Sequence, residues 1–340
     1  TVGEQTAIFW AVLHTDLPVP EVYTCEPVRK GDLGLEYIIM KRMPGSSYQD
    51  HWPRSWNHVE EGSGEKRWRQ AIAAKKKVAR LLAKFHADTF RRQYDYIGSL
   101  EHSSGEGYKI GRLVSPSLCW TLFVDPAVSP GPFKGSREWM KAELACAWHD
   151  CQRRLASTRD HEASEQASTD TMQSGGPVLD SGRETFHIDN PDNMERTSRV
   201  LSGLRRHFDE FFPCPDPSDP PEPTILCRRI RGDDVLINPV DGEVTAVVDW
   251  EYVCALPLWA ACRVPEIFPV PNKERAKRPK QDDFLKSDIA SWVRIEEYGE
   301  TRLRSTFLDE MRNLCPDWIE HHESHDARKD FKYALDNRHN

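Results

Sequence analysis

Residues 224–253, with the sequence TILCRRIRGDDVLINPVDGEVTAVVDWEYV, decide the fold expected of this chain. Two apolar runs, DVLIN and VTAVVDW, flank the segment NPVDGE. An Asp-Gly pair between alternating apolar segments is the strongest short-range signal of a β-hairpin. The second run closes on Asp249, and a carboxylate at the end of such a hairpin is well placed to hold a divalent cation. The stretch therefore predicts a hairpin that carries a candidate metal ligand at one end.

Length, charge and cysteine content limit the class of protein. The chain has 340 residues and a formal net charge of −8, and this length favours about two domains. A negative chain without a long basic stripe is not expected to bind nucleic acid. No apolar run approaches the roughly 20 residues that a membrane-spanning helix needs, so no membrane association is expected. The nine cysteines form no C-x-x-C pair, which favours reduced thiols and a cytoplasmic location.

Apolar residues at helical spacing predict four helices before the hairpin. They lie near residues 4–13, 70–87, 137–155 and 196–212. The β-branched run LEYIIMKRM, residues 35–43, predicts a strand that ends at a Pro-Gly turn. From about residue 285 onward we expect mostly helix with a charged tail.

Two segments are predicted to lack regular helix or strand. Residues 156–185 are rich in Ser, Thr, Asp, Glu and Gly, a composition typical of a disordered insertion. Residues 213–223, PCPDPSDPPEP, predict a stiff polyproline-like connector. The connector is also a candidate contact for a protein partner.

Five segments in order resemble landmarks of the aminoglycoside phosphotransferase and choline kinase-like family, in particular its fungal members. They are TDLPVPEVY, LEYIIMKRMPG, VARLLAKFHADTFRRQYDYIGSL, YKIGRLVSP and DWEYVCALPLWAACRVPEIF. The resemblance implies an α+β, protein-kinase-like fold of two lobes. Residues 1–45 would form an incomplete N-terminal lobe with its hinge, and residues 46–340 a mainly helical C-terminal lobe. It also implies ATP- and Mg²⁺-dependent transfer of a phosphoryl group to a hydroxyl of a small molecule.

The family's catalytic loop, H-x-D-x-x-x-x-N, fits this sequence in a first register. The family's metal-binding Asp follows the loop about fifteen residues after the Asn, and Asp249 lies fifteen residues after Asp234. Asp234 then takes the place of the metal-binding Asn. Arg229 takes the place of the catalytic Asp, and Cys227 that of the His. In this register the run VLI forms the expected strand.

A second register matches RGDDVLIN to the same loop with only the His replaced. Asp233 becomes the catalytic base and Asn238 the metal ligand. This register moves VLI from strand to loop and shortens the hairpin, although a strand cannot slip without turning its apolar side chains to the wrong face. We therefore prefer the first register.

The first register predicts that phosphoryl transfer is impaired or absent. A general base contributes about 10²–10⁴-fold to a rate, and the guanidinium of Arg229 cannot accept a proton. Mg²⁺ binding is still allowed, because Asp234 keeps an oxygen ligand. Two alternatives stay open: an active kinase that uses Asp233 and Asn238, or a non-catalytic binding or scaffold module.

The nucleotide-binding residues follow from the same resemblance. Glu4 resembles the helix glutamate that pairs with a strand lysine in the family, and that lysine and the phosphate-covering loop would lie before Thr1. The hinge that holds the adenine ring would consist of Met40, Lys41, Arg42 and Met43.

Overall fold

The computed structural model describes residues 2–26, 34–50, 63–103, 107–119, 127–171, 191–238, 240–269, 277–284 and 288–339. The α-helices of these residues are α1 Val2–His14, α2 Ser63–Phe90, α3 Pro116–Cys119, α4 Ser136–Thr171, α5 Pro191–Arg206, α6 Phe208–Phe211, α7 Leu258–Ala261, α8 Ile289–Leu314, α9 Pro316–Glu323 and α10 Ala327–Asp336. The strands are β1 Val22–Glu26, β2 Tyr37–Met40, β3 Ser46–Ser47, β4 Gln93–Tyr94, β5 Gly98–Ser103, β6 Gly107–Ile110, β7 Thr224–Cys227, β8 Val235–Ile237, β9 Val244–Val247 and β10 Cys254–Pro257.

The predicted α+β class is confirmed, and most of the predicted elements are present. The first two helices are α1 and α2, and the strand expected over residues 35–43 is the shorter β2. The helix expected over residues 196–212 is divided into α5 and α6 at His207.

The disordered insertion predicted from residue 156 is wrong as far as Thr171, because α4 continues to that residue. The polar composition that suggested disorder also contains Ala, Arg, Glu and Gln, all of which favour a helix. A polar stretch can extend a helix that is already nucleated. Residues 172–185 of the predicted insertion lie outside the described residues.

The described strands form three antiparallel groups. β1 pairs with β2, five strands follow the order β4-β7-β10-β5-β6, and three follow the order β3-β8-β9. The predicted hairpin is the β8–β9 pair, in which Val235 lies opposite Val247 and Leu236 opposite Ala246. Its turn contains Gly242 at a φ of 69°, a left-handed conformation that glycine adopts without steric cost.

The chain divides into two compact units. The first comprises Thr1–Gly111 with Pro223–Ser324, and the second Arg112–Glu222 with His325–Asn340. All the described strands belong to the first unit. The lobe boundary predicted at residue 45 falls inside the first unit and does not coincide with this division.

Trp250 anchors the end of the hairpin in the core of the first unit. Its side chain is buried, and its indole N–H donates to the carbonyl of Val247 over 2.8 Å. Its ring meets the ring of Phe85 on α2 edge to face, with 6.1 Å between centroids. Asp249 and Glu251, which flank Trp250 in the chain, are both exposed. The apolar ring therefore fixes the position of the acidic side chains next to it.

None of the described helices combines the length and the apolar character that crossing a membrane would require.

Candidate functional site

The loop that follows β9 places Asp249 in an unusual backbone conformation. Asp249 has a φ of 64° and Tyr252 a φ of 59°. Left-handed backbone is uncommon outside glycine, although Asp tolerates it better than most residues. Such positions persist where the surrounding structure holds them, and they are frequent at functional sites. The side chain of Asp249 is 41% exposed, so its carboxylate is accessible.

Asp234 lies at the same end of the hairpin, in the 3₁₀ turn Gly232–Asp234 that leads into β8. Its carbonyl accepts from the N–H of Val248 over 2.8 Å. Its carboxylate is buried and accepts from the backbone N–H of Arg231 over 2.9 Å. Burial raises the pKa of this carboxyl, whereas the hydrogen bond and the charge of Arg228 act in the opposite direction. Asp234 and Asp249, the two metal ligands expected from the first register, thus lie at the same end of the hairpin.

Arg231 lies between these two carboxylates. Its Nη2 atom is 3.1 Å from Oδ2 of Asp249 and 3.6 Å from Oδ1 of Asp234. The side chain is mostly exposed. One guanidinium therefore neutralises part of the charge of both acids.

Arg228 approaches the same acids from inside the protein. Its side chain is 1% exposed, and its Nη2 is 3.7 Å from Oδ2 of Asp234. It also donates to the carbonyls of Val248 and Asp249. Its guanidinium carbon lies 4.6 Å from the ring centroid of Trp250, a cation–π contact. Burial lowers the pKa of this guanidinium to about 10, and the charges of Asp234 and Asp249 oppose that shift.

The residues at this end of the hairpin do not fit a magnesium site. Mg²⁺ needs oxygen ligands at about 2.0–2.1 Å in an octahedral arrangement. The oxygens of Asp234 and Asp249 instead face two guanidinium groups. A divalent cation here would be repelled by both arginines. Within the described part of the chain, no group of three or more His, Cys, Asp or Glu side chains is arranged to hold a metal ion.

The two residues expected at the catalytic Asp and His positions lie apart from the acids. Arg229 is 82% exposed and donates to Oε1 of Glu266 over 2.9 Å. Asp249 pairs with Arg231. Cys227 ends β7, and burial raises the pKa of its thiol to about 11. A thiol that stays protonated accepts no proton, and neither does the guanidinium of Arg229, so neither position holds a general base.

The second register is not supported by the geometry. Asn238 lies in the hairpin turn, where its side chain donates to Asp241 and accepts from the N–H of Val240. Residues 235–237 form β8, as the first register requires. Asn238 is thus at the opposite end of this strand from Asp234. Asp233 is exposed, and no ion pair or hydrogen bond joins it to Asp249 within the described residues.

Glu4, which the resemblance assigns to the nucleotide site, lies next to the end of the hairpin. On α1, its carboxylate accepts from the backbone N–H of Trp250. Burial raises the pKa of this carboxyl, and the nearby charge of Glu251 raises it further. Glu4 therefore belongs to the same cluster as the two aspartates and the two arginines.

The predicted hinge residues follow β2. Met40 ends the strand, and the backbone N–H of Lys41 donates to the carbonyl of Glu21 over 2.8 Å. Lys41 and Arg42 are exposed, whereas Met43 is half-buried. The N–H of Lys41 is thus engaged by the protein itself.

A cavity of about 280 Å³ adjoins the turn Gly232–Asp234. Lys75 of α2 lines it, with its Nζ 4.0 Å from the ring centroid of Tyr48. Burial lowers the pKa of this ammonium to about 7, against the charges of Glu296 and Glu300, which raise it. Nothing local signals this residue, since it is one of three consecutive lysines. The mixed charges of the lining suit a small polar molecule.

Arg228 and Arg231 are the site residues that sequence reasoning missed. The segment RRIRGDD does show arginines beside carboxylates, and this is the signal that could have indicated them. This signal is weak because three arginines lie within four residues, and the sequence does not show which of them contacts the carboxylates. Only Arg229 falls at a catalytic position of the family's loop, and it is the one that turns away to Glu266.

Comparison with known proteins gives matches among solved structures only. No family model and no curated protein matches the chain. It is similar to an aminoglycoside-3'-phosphotransferase of type VIII, with 19% identity, 91% of this chain and 79% of that chain covered, and a TM-score of 0.29. It is also similar to a thermostable mutant of aminoglycoside phosphotransferase APH(4)-Ia in apo form, at 13% identity, 99% and 81% coverage, and a TM-score of 0.33.

A ternary complex of a thermostable mutant of that second protein with ADP and hygromycin B matches at 14% identity, 99% and 81% coverage, and a TM-score of 0.33. These structures are aminoglycoside phosphotransferases, the family that the sequence resembles. Because every TM-score is below 0.5, we transfer no residue role or ligand from them to this chain.

Proposed function

We propose that this chain has a phosphotransferase-like fold in which two arginines occupy the place of the metal, so that it transfers phosphoryl groups very slowly or not at all. The observation that carries the proposal is the contact of Arg228 and Arg231 with Asp234 and Asp249. In this proposal the cluster is structural. It holds the loop after β9 in place without a divalent cation.

The chemistry of phosphoryl transfer supports this proposal. Catalysis of this reaction depends on positioning and on metal ions that neutralise the charge of the phosphates. Guanidinium groups that are already engaged with two carboxylates weaken the attraction of those carboxylates for such an ion. The position of the base is also lost, since Arg229 cannot accept a proton and pairs with Glu266. In this proposal the metal ion and the general base are therefore both missing from the site.

In this proposal the protein still binds a small molecule although it does not transfer a phosphoryl group to it. The cavity beside Gly232 and Lys75 is the proposed position of a small polar ligand, the remnant of a site for a hydroxyl acceptor. ATP binding at residues 40–43 is a weaker proposal, because the N–H of Lys41 is already engaged. A protein partner at the proline-rich connector is a further proposal, supported by the exposure of residues 213–221.

An assay of ADP release tests the proposal. The purified chain is incubated with Mg²⁺-ATP and a panel of small hydroxyl compounds, and the Asp249→Ala variant serves as the control. We expect equal, background release from both proteins. ATP-dependent phosphorylation of any acceptor that disappears in Asp249→Ala would overturn the proposal. Loss of such activity in Asp233→Ala, but not in Arg229→Ala, would establish the second register instead.

Thermal melting separates nucleotide binding from catalysis. A ligand at 100 times its Kd adds about 2.7 kcal/mol to the free energy of unfolding. We expect no rise in melting temperature that requires magnesium in addition to ATP. A magnesium-dependent rise would mean that Asp234 and Asp249 can release their arginines and bind a metal.

A further inference from the structure

A larger cavity, of about 680 Å³, lies elsewhere in the first unit. It is lined by residues of α2, of α8 and of the segment 278–284. This volume is within the range of small-molecule sites in proteins. None of its lining residues belongs to the predicted hinge or to the group Arg228, Arg231, Asp234 and Asp249, here called the arginine–aspartate cluster. The cavity therefore needs an explanation of its own.

Three aromatic side chains form one wall of the cavity. Trp68 of α2 stacks on Tyr298 of α8, with centroids 6.0 Å apart and planes 28° apart. Trp68 also meets Phe284 at a centroid distance of 5.6 Å. The buried indole N–H of Trp68 has no hydrogen-bond acceptor among the described residues. The wall thus offers a flat apolar surface to a ligand.

Four basic side chains also line the cavity, together with Ile72, Ala73, Pro279 and Gln281. The cations are Arg69, Lys76, Arg278 and Arg302, and the acid among the lining residues is Glu65. Glu65 pairs with Arg69 over 2.6 Å. No ion pair within the described residues engages the other three cations. The lining is therefore positive in a chain whose net charge is −8.

Like charges lie close together in this lining. The pKa of Lys76 is lowered by burial and then by the positive charges of Arg302 and Arg80. Like charges held close together disfavour the charged form. An anion in the cavity would remove this repulsion, and guanidinium groups match carboxylate and phosphate oxygens geometrically.

We propose that this cavity binds an aromatic anion of nucleotide size. The ring lies against Trp68, Phe284 and Tyr298, in the way that aromatic side chains stack on nucleobases. The phosphate or carboxylate lies among Lys76, Arg278 and Arg302. This site does not depend on the proposed function, since it shares no residue with the arginine–aspartate cluster.

Isothermal titration of the full chain with AMP tests the proposal, with adenosine and inorganic phosphate as the two halves of the ligand. We expect AMP to bind at least tenfold more tightly than either half. Lys76→Glu should weaken AMP binding at least tenfold. Lys141→Glu, the same charge change at an exposed lysine of α4 outside the cavity, should leave it unchanged.

Three results would overturn the proposal. They are no binding of AMP, equal affinity for AMP and adenosine, or equal affinity in Lys76→Glu and Lys141→Glu. Should Lys76→Glu fail to fold, Arg302→Gln replaces it, because Arg302 is exposed and its loss creates no cavity. Asp249→Ala should retain AMP binding. This result would show that AMP does not bind at the arginine–aspartate cluster. ADP release and AMP affinity are independent readouts, so either proposal can fail alone.

Discussion

Arg231 and Asp249 form an ion pair of 3.1 Å between Nη2 and Oδ2, at the end of the hairpin where a metal ligand was expected. The side chains are 62% and 41% exposed. Exposed pairs of this kind contribute about 0–1 kcal/mol to stability. The pair therefore matters less for the stability of the fold than for the charge of the site. It sets how strongly the acids can attract a cation.

Replacing Arg231 should make the acids more attractive to divalent cations. In Arg231→Ala, Asp249 loses its guanidinium partner. Asp234 keeps Arg228 as its cationic partner. We expect the affinity for Mn²⁺ to rise several-fold, with a change in stability below about 1 kcal/mol. Isothermal titration with Mn²⁺ measures the effect. Arg229→Ala is the control, because its partner is Glu266, and equal affinities in the two variants would contradict the assignment.

Replacing Arg228 should instead damage the fold. Arg228→Met leaves the buried carboxylate of Asp234 without a nearby buried cation, and it uncovers the carbonyls of Val248 and Asp249. Removing one partner of a buried ion pair costs about 3–5 kcal/mol. Urea denaturation measures the loss.

The exposed neighbour Arg229 is the matched control for this variant. Arg229→Met should change stability by no more than about 0.5 kcal/mol. The double variant Arg228→Met with Asp234→Asn should recover part of the loss, since no buried charge is then left unpaired. A cost for Arg228→Met as small as that of the control would show that the buried pair stabilises nothing.

The buried His86 should make the protein sensitive to acid. It lies among aromatic rings, with centroids 5.5 Å from Phe307 and 6.0 Å from Trp318. Burial lowers its pKa from 6.5 to about 4. Between these values the unfolded chain binds a proton that the folded protein does not. The free energy of unfolding should therefore fall as the pH falls from 6.5 to 4, by about 1.4 kcal/mol per pH unit at the steepest.

Urea denaturation of His86→Leu across this pH range checks the expectation. The variant lacks the titrating group, so the difference between wild type and variant should depend on pH. His325→Leu, at an exposed position, is the matched histidine substitution measured beside it. A constant difference for His86→Leu between pH 4 and 6.5 would refute the expectation.

The hairpin turn should not tolerate a side chain at Gly242. The residue has a φ of 69°, and a Cβ there would meet Ala74 of α2, lying 3.2 Å from its Cα. Strained backbone of this kind costs about 1–3 kcal/mol, and the contact with Ala74 adds to it. Gly242→Ala should lower the free energy of unfolding by at least that amount in urea denaturation.

Gly203 provides the opposite case on α5. A Cβ there would meet no atom within 4 Å, and alanine favours a helix by about 0.5–1 kcal/mol over glycine. Gly203→Ala should therefore be neutral or stabilising. A cost for Gly242→Ala as small as that for Gly203→Ala would show that the contact between the turn and α2 is not tight.

Local sequence patterns predicted much of the framework. The alternation around Asp241-Gly242 predicted the hairpin, and helical periodicity predicted α1 and α2, because each signal depends on residues that are neighbours in the chain. The end of α4 was misjudged, because polar composition alone does not separate a solvated helix from a disordered segment. The family resemblance, through the fifteen-residue spacing of Asp234 and Asp249, implied that the two carboxylates belong to one site.

The sequence by itself therefore determined the hairpin, the helices α1 and α2 and the position of Asp249 at the hairpin's end. The tertiary structure decided which arginine meets them. Arg228, Arg229 and Arg231 carry the same side chain within four residues, and only packing against Trp250 buries the first and leaves the second to Glu266. The same holds for the larger cavity, where Trp68 and Tyr298 are 230 residues apart. Contacts at such separations depend on how α2 and α8 pack, which no local pattern records.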